Sequence, residues 1–216
     1  MVHGNDFKET LDKNQKEFIR PDYFSAKYSS FLWRPFQLAF FLLVLESLVN
    51  EDSNDRSVVD LIWFPTGGGK TEAYMGLMAF VALYRRIKNV NDDGVAVITR
   101  YTYRLLTHQQ FERTASLICA LEYIRKKNFS ILGNKEFSLG IWVGSSTFPN
   151  RRKEAKEIFG NYKKENEDRT WVINSCPWCR YEMGFFRHQN DKQSVSLGFR
   201  FKKSVELYCP NIQCEF

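Results

Sequence analysis

A glycine-rich turn between an apolar run and a helix-forming run has the residue types that bind phosphate. It consists of Pro65, Thr66, Gly67, Gly68, Gly69, Lys70 and Thr71. Glycine lets a phosphate approach the main chain, and a turn that enters a helix presents N–H groups and the positive end of the helix dipole to an anion. In this pattern Lys70 contacts the β- and γ-phosphates of a nucleotide, and the Thr71 hydroxyl holds Mg²⁺. The sequence therefore predicts nucleotide binding, with a glycine-rich turn that binds nothing as the alternative.

Four cysteines form a second group with the spacing of a metal site. Cys176 and Cys179 are separated by two residues, and Cys209 and Cys214 follow, separated by four residues. Two cysteine pairs in proline-bearing turns suit a tetrahedral Zn²⁺ site, and four thiolates make a closed, structural site. The gap between the pairs exceeds the common ribbon spacing, but it holds strand-like runs at 194–201 and 205–208 that predict a β-ribbon. A redox-active first pair is the alternative, and Cys119 is interpreted as a small buried residue.

The elements that must position these residues alternate between strand and helix. Apolar runs at 58–64, 95–99 and 137–144 predict buried strands. Helices are predicted at 38–49, at 72–86 and in a stretch opened by residues 100–111 that runs to about residue 127, with a surface helix or linker at 151–168. This order is typical of a parallel α/β sheet flanked by helices. We expect a polar segment at 1–30, a nucleotide-binding lobe at 31–150, the linker at 151–168 and a zinc module at 169–216.

Composition is that of a globular domain with a polyanionic partner. The 216 residues are 44% hydrophobic and 26% charged, which fits a packed domain of this length. The net charge is +6, and the first 60 residues are net acidic while the remainder is net basic. The basic part suits a nucleic acid, although solvated lysines explain the charge equally well. The longest apolar run has eight residues, against about 20 needed to span a bilayer. With no visible signal peptide, we expect a cytoplasmic protein with reduced cysteines.

The glycine-rich turn resembles motif I of superfamily 2 helicases and translocases. At the position of Phe64, the general phosphate-binding loop has glycine, whereas superfamily 2 usually has a small residue that is not glycine. Arg34 and Gln37, in an Arg-Pro-Phe-Gln element 33 residues before Lys70, resemble the element of that superfamily that reads adenine. This resemblance implies that ATP is the nucleotide. The alternative interpretation of Gln37 is an ordinary residue at a helix start.

A second resemblance covers the segment after the predicted strand at 95–99. Thr99 and Arg100, followed by Arg104 and Gln110, resemble motif Ia, in which such residues grip the sugar-phosphate backbone of a nucleic-acid strand. Arginine pairs well with phosphate. Surface salt bridges are the alternative for the two arginines. DNA is the expected partner, and the sequence does not exclude RNA.

Taken together, residues 30–216 resemble the first RecA-like lobe of a superfamily 2 helicase, and more narrowly the large helicase subunit of DISARM anti-phage systems. The resemblance implies an ATP-driven DNA translocase in phage defence, with partners that include a DNA methyltransferase. The chain departs from the family because it contains no Asp-Glu-x-His or Asp-Glu-Ala-Asp sequence, and the second lobe is missing. We therefore expect the front part of a longer protein, which binds ATP weakly and hydrolyses it negligibly.

Two other functions fit parts of the pattern. One is a stand-alone, zinc-containing nucleic-acid-binding or regulatory module whose phosphate-binding loop does not support hydrolysis. The other is a different enzyme with such a loop, such as a small kinase. That enzyme needs a catalytic carboxylate and a lid, for which the sequence offers no candidates.

Overall fold

The computed structural model describes residues 25–26, 32–63, 65, 67–101, 104–143, 149, 151–162, 173–187, 194–201 and 205–216. These residues divide between two compact units. The loop unit contains the described residues of Asp22–Arg100 together with Leu121–Phe137. The cysteine unit contains those of Tyr101–Ala120 and Ser138–Phe216. The predicted N-terminal segment at 1–30 lies almost entirely outside the described residues.

In the loop unit, α1 (Pro35–Val49) packs against α2 (Lys70–Lys88). Proline fits the first turn of α1 because it lacks the N–H that would have no partner in the helix. Two aromatic pairs join the helices: Phe41 meets Phe80 edge to face at 5.3 Å, and Phe40 meets Tyr74 edge to face at 6.0 Å. Such pairs stabilise a contact beyond the area that they bury. The helices predicted at 38–49 and 72–86 are thus confirmed with longer bounds.

A short 3-10 helix (Asn54–Ser57) follows α1. Arg56 donates from Nη1 to the carbonyl oxygen of Ser47 at 2.9 Å, which attaches this turn to α1. The Tyr84 hydroxyl donates to the carbonyl oxygen of Val49 at 3.1 Å. Because that carbonyl lies at the end of α1, the bond satisfies an acceptor that the helix leaves without a partner.

The loop unit also contains a cluster of buried charged side chains around the short helix α4 (Phe129–Leu132). Glu122 and Arg125 form a two-bond ion pair with N–O distances of 2.8 and 2.7 Å, and Arg125 also donates to the carbonyl oxygen of Gly133. Arg86 donates to the carbonyl oxygens of Leu132 and Lys135. Buried charges need such partners. Here they fix the course of the chain after α4.

The long helix α3 (Arg104–Lys127) confirms the helix predicted to end near residue 127, and the division between the two units falls within it, after Ala120. Its last turn carries Arg125, Lys126 and Lys127, which suit the negative end of a helix dipole. In the cysteine unit, α5 (Arg152–Tyr162) lies within the segment predicted as a surface helix or linker. The remaining residues of that segment, 163–168, lie outside the described residues.

The cysteine unit contains two antiparallel hairpins. Strands β1 (Gly184–Arg187) and β2 (Ser194–Leu197) pair with Phe185 opposite Ser196. Strands β3 (Phe199–Phe201) and β4 (Val205–Leu207) pair with Arg200 opposite Glu206. The β-ribbon predicted between the cysteine pairs is therefore present as these hairpins, and β4 contacts α5.

The structure differs from the prediction of buried strands at 58–64, 95–99 and 137–144. In the part of these segments that the structure describes, no residue belongs to a strand. Many of their apolar side chains are exposed: Val59, Leu61 and Trp63 retain 92%, 85% and 89% of their accessible surface. Others, such as Leu139 and Ile141, are half-buried. A strand in a parallel sheet is buried only when strands pair with it and helices cover both faces. The described residues provide neither, so the composition of these segments did not determine their burial.

The described helices include none with both the length and the apolar character needed to cross a bilayer.

Candidate functional site

The glycine-rich turn enters α2 directly. Gly69 is the N-cap of α2 and has φ +93°, and Gly67 has φ +80°. Both values lie in the left-handed region, where residues with a Cβ are disfavoured. Lys70 and Thr71 begin α2 and are half-buried. The sequence therefore folds here into a turn followed by a helix N-terminus, as predicted, whereas Thr66 and Phe64 lie outside the described residues.

Two side chains from the start of α1 hold this turn. Arg34 donates from Nη1 to the carbonyl oxygen of Gly68 at 2.9 Å. Gln37, which is only 4% exposed, donates from Nε2 to the carbonyl oxygen of Gly69 at 2.7 Å. Because the peptide group is planar and trans, the N–H of the following residue points opposite to each carbonyl. The N–H groups of Gly69 and Lys70 are therefore directed away from Arg34 and Gln37.

The Gln37 amide is engaged at both ends. Besides its bond to Gly69, its Oε1 accepts the N–H of Arg34 at 2.7 Å, which satisfies a donor at the start of α1. A glutamine amide pairs with adenine through one donor and one acceptor. To read adenine, Gln37 must exchange these two protein partners for the base. Recognition of adenine by Gln37 stays a prediction, and the contacts show a second role, which is to fix the turn.

The Lys70 side chain bends back over the turn. Its Nζ donates to the carbonyl oxygen of Pro65 at 3.0 Å. The N–H of Gly68 also donates to that oxygen, at 3.2 Å. A phosphate that enters the turn offers the Lys70 ammonium a negatively charged acceptor in place of a neutral carbonyl, which is the stronger hydrogen bond.

The residues predicted to grip nucleic acid are divided between the two units. Thr99 and Arg100 are exposed and lie in the loop unit, at the end of an extended segment. Gln110 lies in the cysteine unit on α3, and its Oε1 is buried without a hydrogen-bond partner. The side chain of Arg104 lies outside the described residues. Gln110 is thus less available to a phosphate than its position in the sequence indicates.

The four predicted metal ligands come together in the cysteine unit. The Sγ atoms of Cys176, Cys179, Cys209 and Cys214 all lie within 4.8 Å of one another. The Cys176–Cys214 and Cys179–Cys209 distances are 3.9 and 3.6 Å. Four sulfurs around a tetrahedral Zn²⁺ lie about 3.8 Å apart, given Zn–S bonds of about 2.3 Å, whereas a disulfide bond is about 2.0 Å long. The arrangement fits a metal ion and excludes disulfides at these distances.

Backbone turns hold the two cysteine pairs in place. In the first pair, the N–H of Arg180 donates to the carbonyl oxygen of Cys176, and the N–H of Cys176 donates to that of Tyr181. In the second pair, the N–H of Cys214 donates to the carbonyl oxygen of Asn211 at 3.0 Å. Met183 and Phe199 pack beneath the cysteines. These turns make each pair a preformed half of the site.

The proximity of the thiols sets their protonation. Hydrogen bonds with the Cys179 and Cys214 thiols lower the pKa of Cys176 to about 2. The hydrogen bond to this thiolate raises the pKa of Cys179 and of Cys214. Burial, together with the nearby negative charge, raises the pKa of Cys209 to about 12. Four thiolates at these distances repel one another, and a divalent cation supplies the charge that lets all of them deprotonate.

Asn211 is a site residue that the sequence analysis did not identify. It is buried, and its Nδ2 donates to Sγ of Cys179 at 3.8 Å. Its Oδ1 accepts the N–H of Gln213 at 3.0 Å. Groups that hydrogen-bond to metal ligands orient those ligands and tune the affinity for the metal. An asparagine two residues after a ligand, within a Cys-Pro-Asn turn, is the sequence signal that indicates this role.

Comparison with known proteins gives one match, which extends along the whole chain. No family model matches the chain. It is 40% identical, over an alignment of 234 residues, to the DISARM protein DrmA of Bacillus paralicheniformis (strain ATCC 9945a / NCIMB 11709 / CD-2). The alignment covers the whole chain and 20% of that protein. The chain thus spans a fifth of the length of this relative and is similar to a DISARM protein throughout.

Proposed function

We propose that these residues form the ATP-binding part of a superfamily 2 DNA helicase or translocase that acts in phage defence. The observation that carries the proposal is the pair of hydrogen bonds from Arg34 and Gln37 to successive carbonyls of the glycine-rich turn. They connect two elements that lie 33 residues apart and that both belong to the superfamily 2 pattern. The similarity of the whole chain to a DISARM protein supports the assignment to phage defence.

In this proposal, ATP binds with its phosphates against the N–H groups of Gly69 and Lys70 and the N-terminus of α2. Lys70 leaves the carbonyl of Pro65 and contacts the β- and γ-phosphates. Thr66, Gly67 and Gly68 complete the loop, and the Thr71 hydroxyl holds Mg²⁺. When bound, ATP with Mg²⁺ supplies the phosphoryl group whose transfer to water drives movement. Gln37 exchanges its protein partners for the adenine edge.

Hydrolysis requires groups beyond those in the 216 residues. The carboxylates of the Asp-Glu-x-His motif hold Mg²⁺ and orient water, and an arginine from a second lobe stabilises the transition state. We therefore expect ATP binding by this chain with negligible turnover. The RecA-like parallel sheet, with strands at 58–64, 95–99 and 137–144, is part of the proposal. It requires neighbouring strands and helices that cover the exposed side chains of these segments.

The proposed partners follow from the same assignment. Thr99, Arg100, Arg104 and Gln110 would contact the DNA backbone, Gln110 through its side-chain amide nitrogen, which is the donor of that group. Zn²⁺ at Cys176, Cys179, Cys209 and Cys214 would serve a structural role, since four ligands leave no open position. Other defence-system proteins, including a methyltransferase, would act with the complete protein in the cytoplasm, where thiols stay reduced.

ATP binding by purified variants tests this proposal. We expect Lys70→Ala to abolish measurable binding of ATP in isothermal titration calorimetry. Gln109→Ala is a matched control, because Gln109 is an exposed glutamine in the other unit. ATP binding that survives Lys70→Ala would contradict the proposal. Salt-dependent DNA binding that Lys70→Ala leaves unchanged would then favour the stand-alone nucleic-acid-binding module.

The same titration separates the two roles of Gln37. If Gln37 only fixes the turn, Gln37→Ala weakens the binding of ATP and of inorganic triphosphate by the same factor. If Gln37 also reads adenine, ATP loses more affinity than triphosphate does. Arg34→Ala removes the bond to the carbonyl of Gly68. It should weaken both ligands equally if Arg34 only holds the turn, and ATP more than triphosphate if Arg34 also belongs to the adenine-reading element.

A further inference from the structure

The side chain of Ser116 connects α3 to the first cysteine pair. Ser116 is half-buried, and its Oγ lies 2.9 Å from the carbonyl oxygen of Pro177. The same Oγ lies 3.1 Å from the carbonyl oxygen of Glu112, one turn earlier in α3. A serine hydroxyl has one proton to donate, so these two acceptors share it. The shorter distance favours the bond to Pro177, which lies 61 residues further along the chain.

Pro177 lies between two of the four metal ligands. The turn that contains it is closed by the bond from the N–H of Arg180 to the carbonyl oxygen of Cys176 at 2.9 Å. Proline has no N–H. Pro177 can therefore form a backbone hydrogen bond to a neighbouring element only through its carbonyl oxygen. A metal ion bound to Cys176 and Cys179 restrains the residues on both sides of this carbonyl. A bound metal would therefore restrict the movement of this carbonyl further than the turn alone does.

We infer that Ser116 is a positioning residue through which metal binding at the four cysteines orders the middle of α3. This inference rests on the metal site and deepens its role. With metal bound, the Pro177 carbonyl is a fixed acceptor, and α3 is held at Ser116. Without metal, the turn can move, and the Ser116 proton returns to the carbonyl of Glu112 within its own helix. The metal thereby supports the helix that carries Gln110 and Arg104, two of the residues proposed to contact nucleic acid.

Thr114 provides a matched control on the same helix. It is half-buried like Ser116, and its Oγ1 donates to the carbonyl oxygen of Gln110, four residues earlier, at 2.7 Å. In the described part of the chain, that hydroxyl has no partner outside α3. Thr114→Ala and Ser116→Ala therefore each remove a hydroxyl that bonds within the helix, but only Ser116→Ala removes a bond to the metal-binding turn. Alanine is a better helix former than serine or threonine, so both variants should keep α3.

The experiment uses Co²⁺ as the probe and the 216-residue chain, prepared metal-free in reductant. The visible d–d bands of tetrahedral thiolate-bound Co²⁺ report binding, and hydrogen exchange with mass spectrometry reports protection of residues 109–120. In the wild-type chain, we expect Co²⁺ to slow exchange in this segment by about five-fold, which corresponds to one neutral hydrogen bond. Ser116→Ala should bind Co²⁺ with the same spectrum and should gain no protection on binding. Its affinity for Co²⁺ should fall by about the same five-fold factor, because a coupling between two sites is reciprocal.

Each variant is compared with itself, with and without Co²⁺. Differences between variants in intrinsic helix stability therefore cancel from the gain in protection. Thr114→Ala should gain the same protection as wild type, and Ser116→Thr, which keeps the hydroxyl, should restore it. The inference is overturned if Ser116→Ala gains the wild-type protection when Co²⁺ binds. If the wild-type chain shows no d–d bands, the metal site itself is wrong and the inference fails with it. The two failures are thus distinguished by the spectrum.

Discussion

In the glycine-rich turn the groups proposed to bind phosphate include main-chain amides, whereas in the cysteine cluster the four candidate metal ligands are all side chains. The turn is oriented by side chains that arrive from α1, since Arg34 and Gln37 hold its carbonyls. The cluster is oriented by the main chain, since two backbone turns present the thiols. The turn thus depends on side chains to hold its main-chain groups, whereas the cluster depends mainly on the main chain, with Asn211 as a side-chain support.

This difference predicts where each site tolerates substitution. A main-chain ligand is retained in most side-chain substitutions. Its position is disturbed where a Cβ cannot be accommodated or where a supporting side chain is lost. A side-chain ligand fails with its own substitution, but the turn beneath it accepts many sequences. Four changes test this contrast between main-chain and side-chain ligands, and the expected effect decreases from the first to the last.

Metal removal should have the largest effect and should be confined to the cysteine unit. Structural zinc in small domains contributes on the order of 10 kcal/mol to folding. We expect a strong chelator to abolish the protection of β3 and β4 in hydrogen exchange and to leave that of α1 and α2 unchanged. An equal loss of protection in both units would show that the effect of the metal is not confined to the cysteine unit. The metal should also dissociate as the pH falls, because protons compete for the thiolates.

Replacing Glu122 should destabilise the loop unit. Burial raises the pKa of Glu122, but hydrogen bonds from Arg125 and from the N–H of Phe137 outweigh it and lower that pKa. The carboxylate therefore stabilises the fold at a pH above the unfolded pKa of about 4.3, and this stabilisation is lost as the pH falls through the lower folded pKa. Glu122→Gln leaves Arg125 buried without its charge partner, which costs about 3 kcal/mol.

Hydrogen exchange at the Phe137 amide measures this effect, because that N–H donates directly to Glu122. Exchange in the wild-type protein, corrected for its intrinsic pH dependence, should accelerate in acid, whereas the variant should already exchange fast at neutral pH and show a flatter response. Metal binding, followed through the Co²⁺ bands, should be unaffected. A slow, unchanged Phe137 amide in the variant would show that the ion pair does not fix this segment.

Gly69→Ala should damage the glycine-rich turn although it removes no ligand. A Cβ at Gly69 would lie 2.7 Å from Nε2 of Gln37, and φ is +93°. The left-handed conformation alone costs about 1–2 kcal/mol for a residue with a Cβ. We expect a loss of ATP affinity of roughly ten-fold or more. Gly140→Ala is the control, because a Cβ there meets no atom within 4 Å. Unchanged ATP affinity in Gly69→Ala would contradict the proposed site.

Removing the ion pair between Arg200 and Glu206 should have the smallest effect. The two residues are opposite each other on β3 and β4, and their N–O distance is 2.8 Å. They are nevertheless solvent-accessible, and exposed pairs contribute about 1 kcal/mol or less. Thermal unfolding of Arg200→Ala should therefore resemble that of the wild-type protein, in contrast to Glu122→Gln. A large loss of stability would show that the hairpin depends on side chains more than on the metal.

Local patterns predicted the helices and the cysteine cluster, but not the burial of the apolar segments. Helix bounds follow from local signals such as Pro35 at the start of α1, and ligand spacing identifies the cysteines without any tertiary information. Burial depends on what covers a segment, so the exposure of Trp63 in the structure had no local signal. Likewise, the role of Gln37 in fixing Gly69 and the bond from Ser116 to Pro177 join residues far apart in the chain, where no spacing rule applies.

The composition of α1 has a practical consequence for handling the protein. Its residues are apolar on every side, and between Pro35 and Leu45 it carries no charge. Leu42 and Leu43 retain 68% and 65% of their accessible surface. With no charge on this exposed apolar surface, self-association should increase with protein concentration. Lysine at these two positions would raise solubility while leaving the buried Gln37 and Val44 in place, which offers a route to concentrated samples.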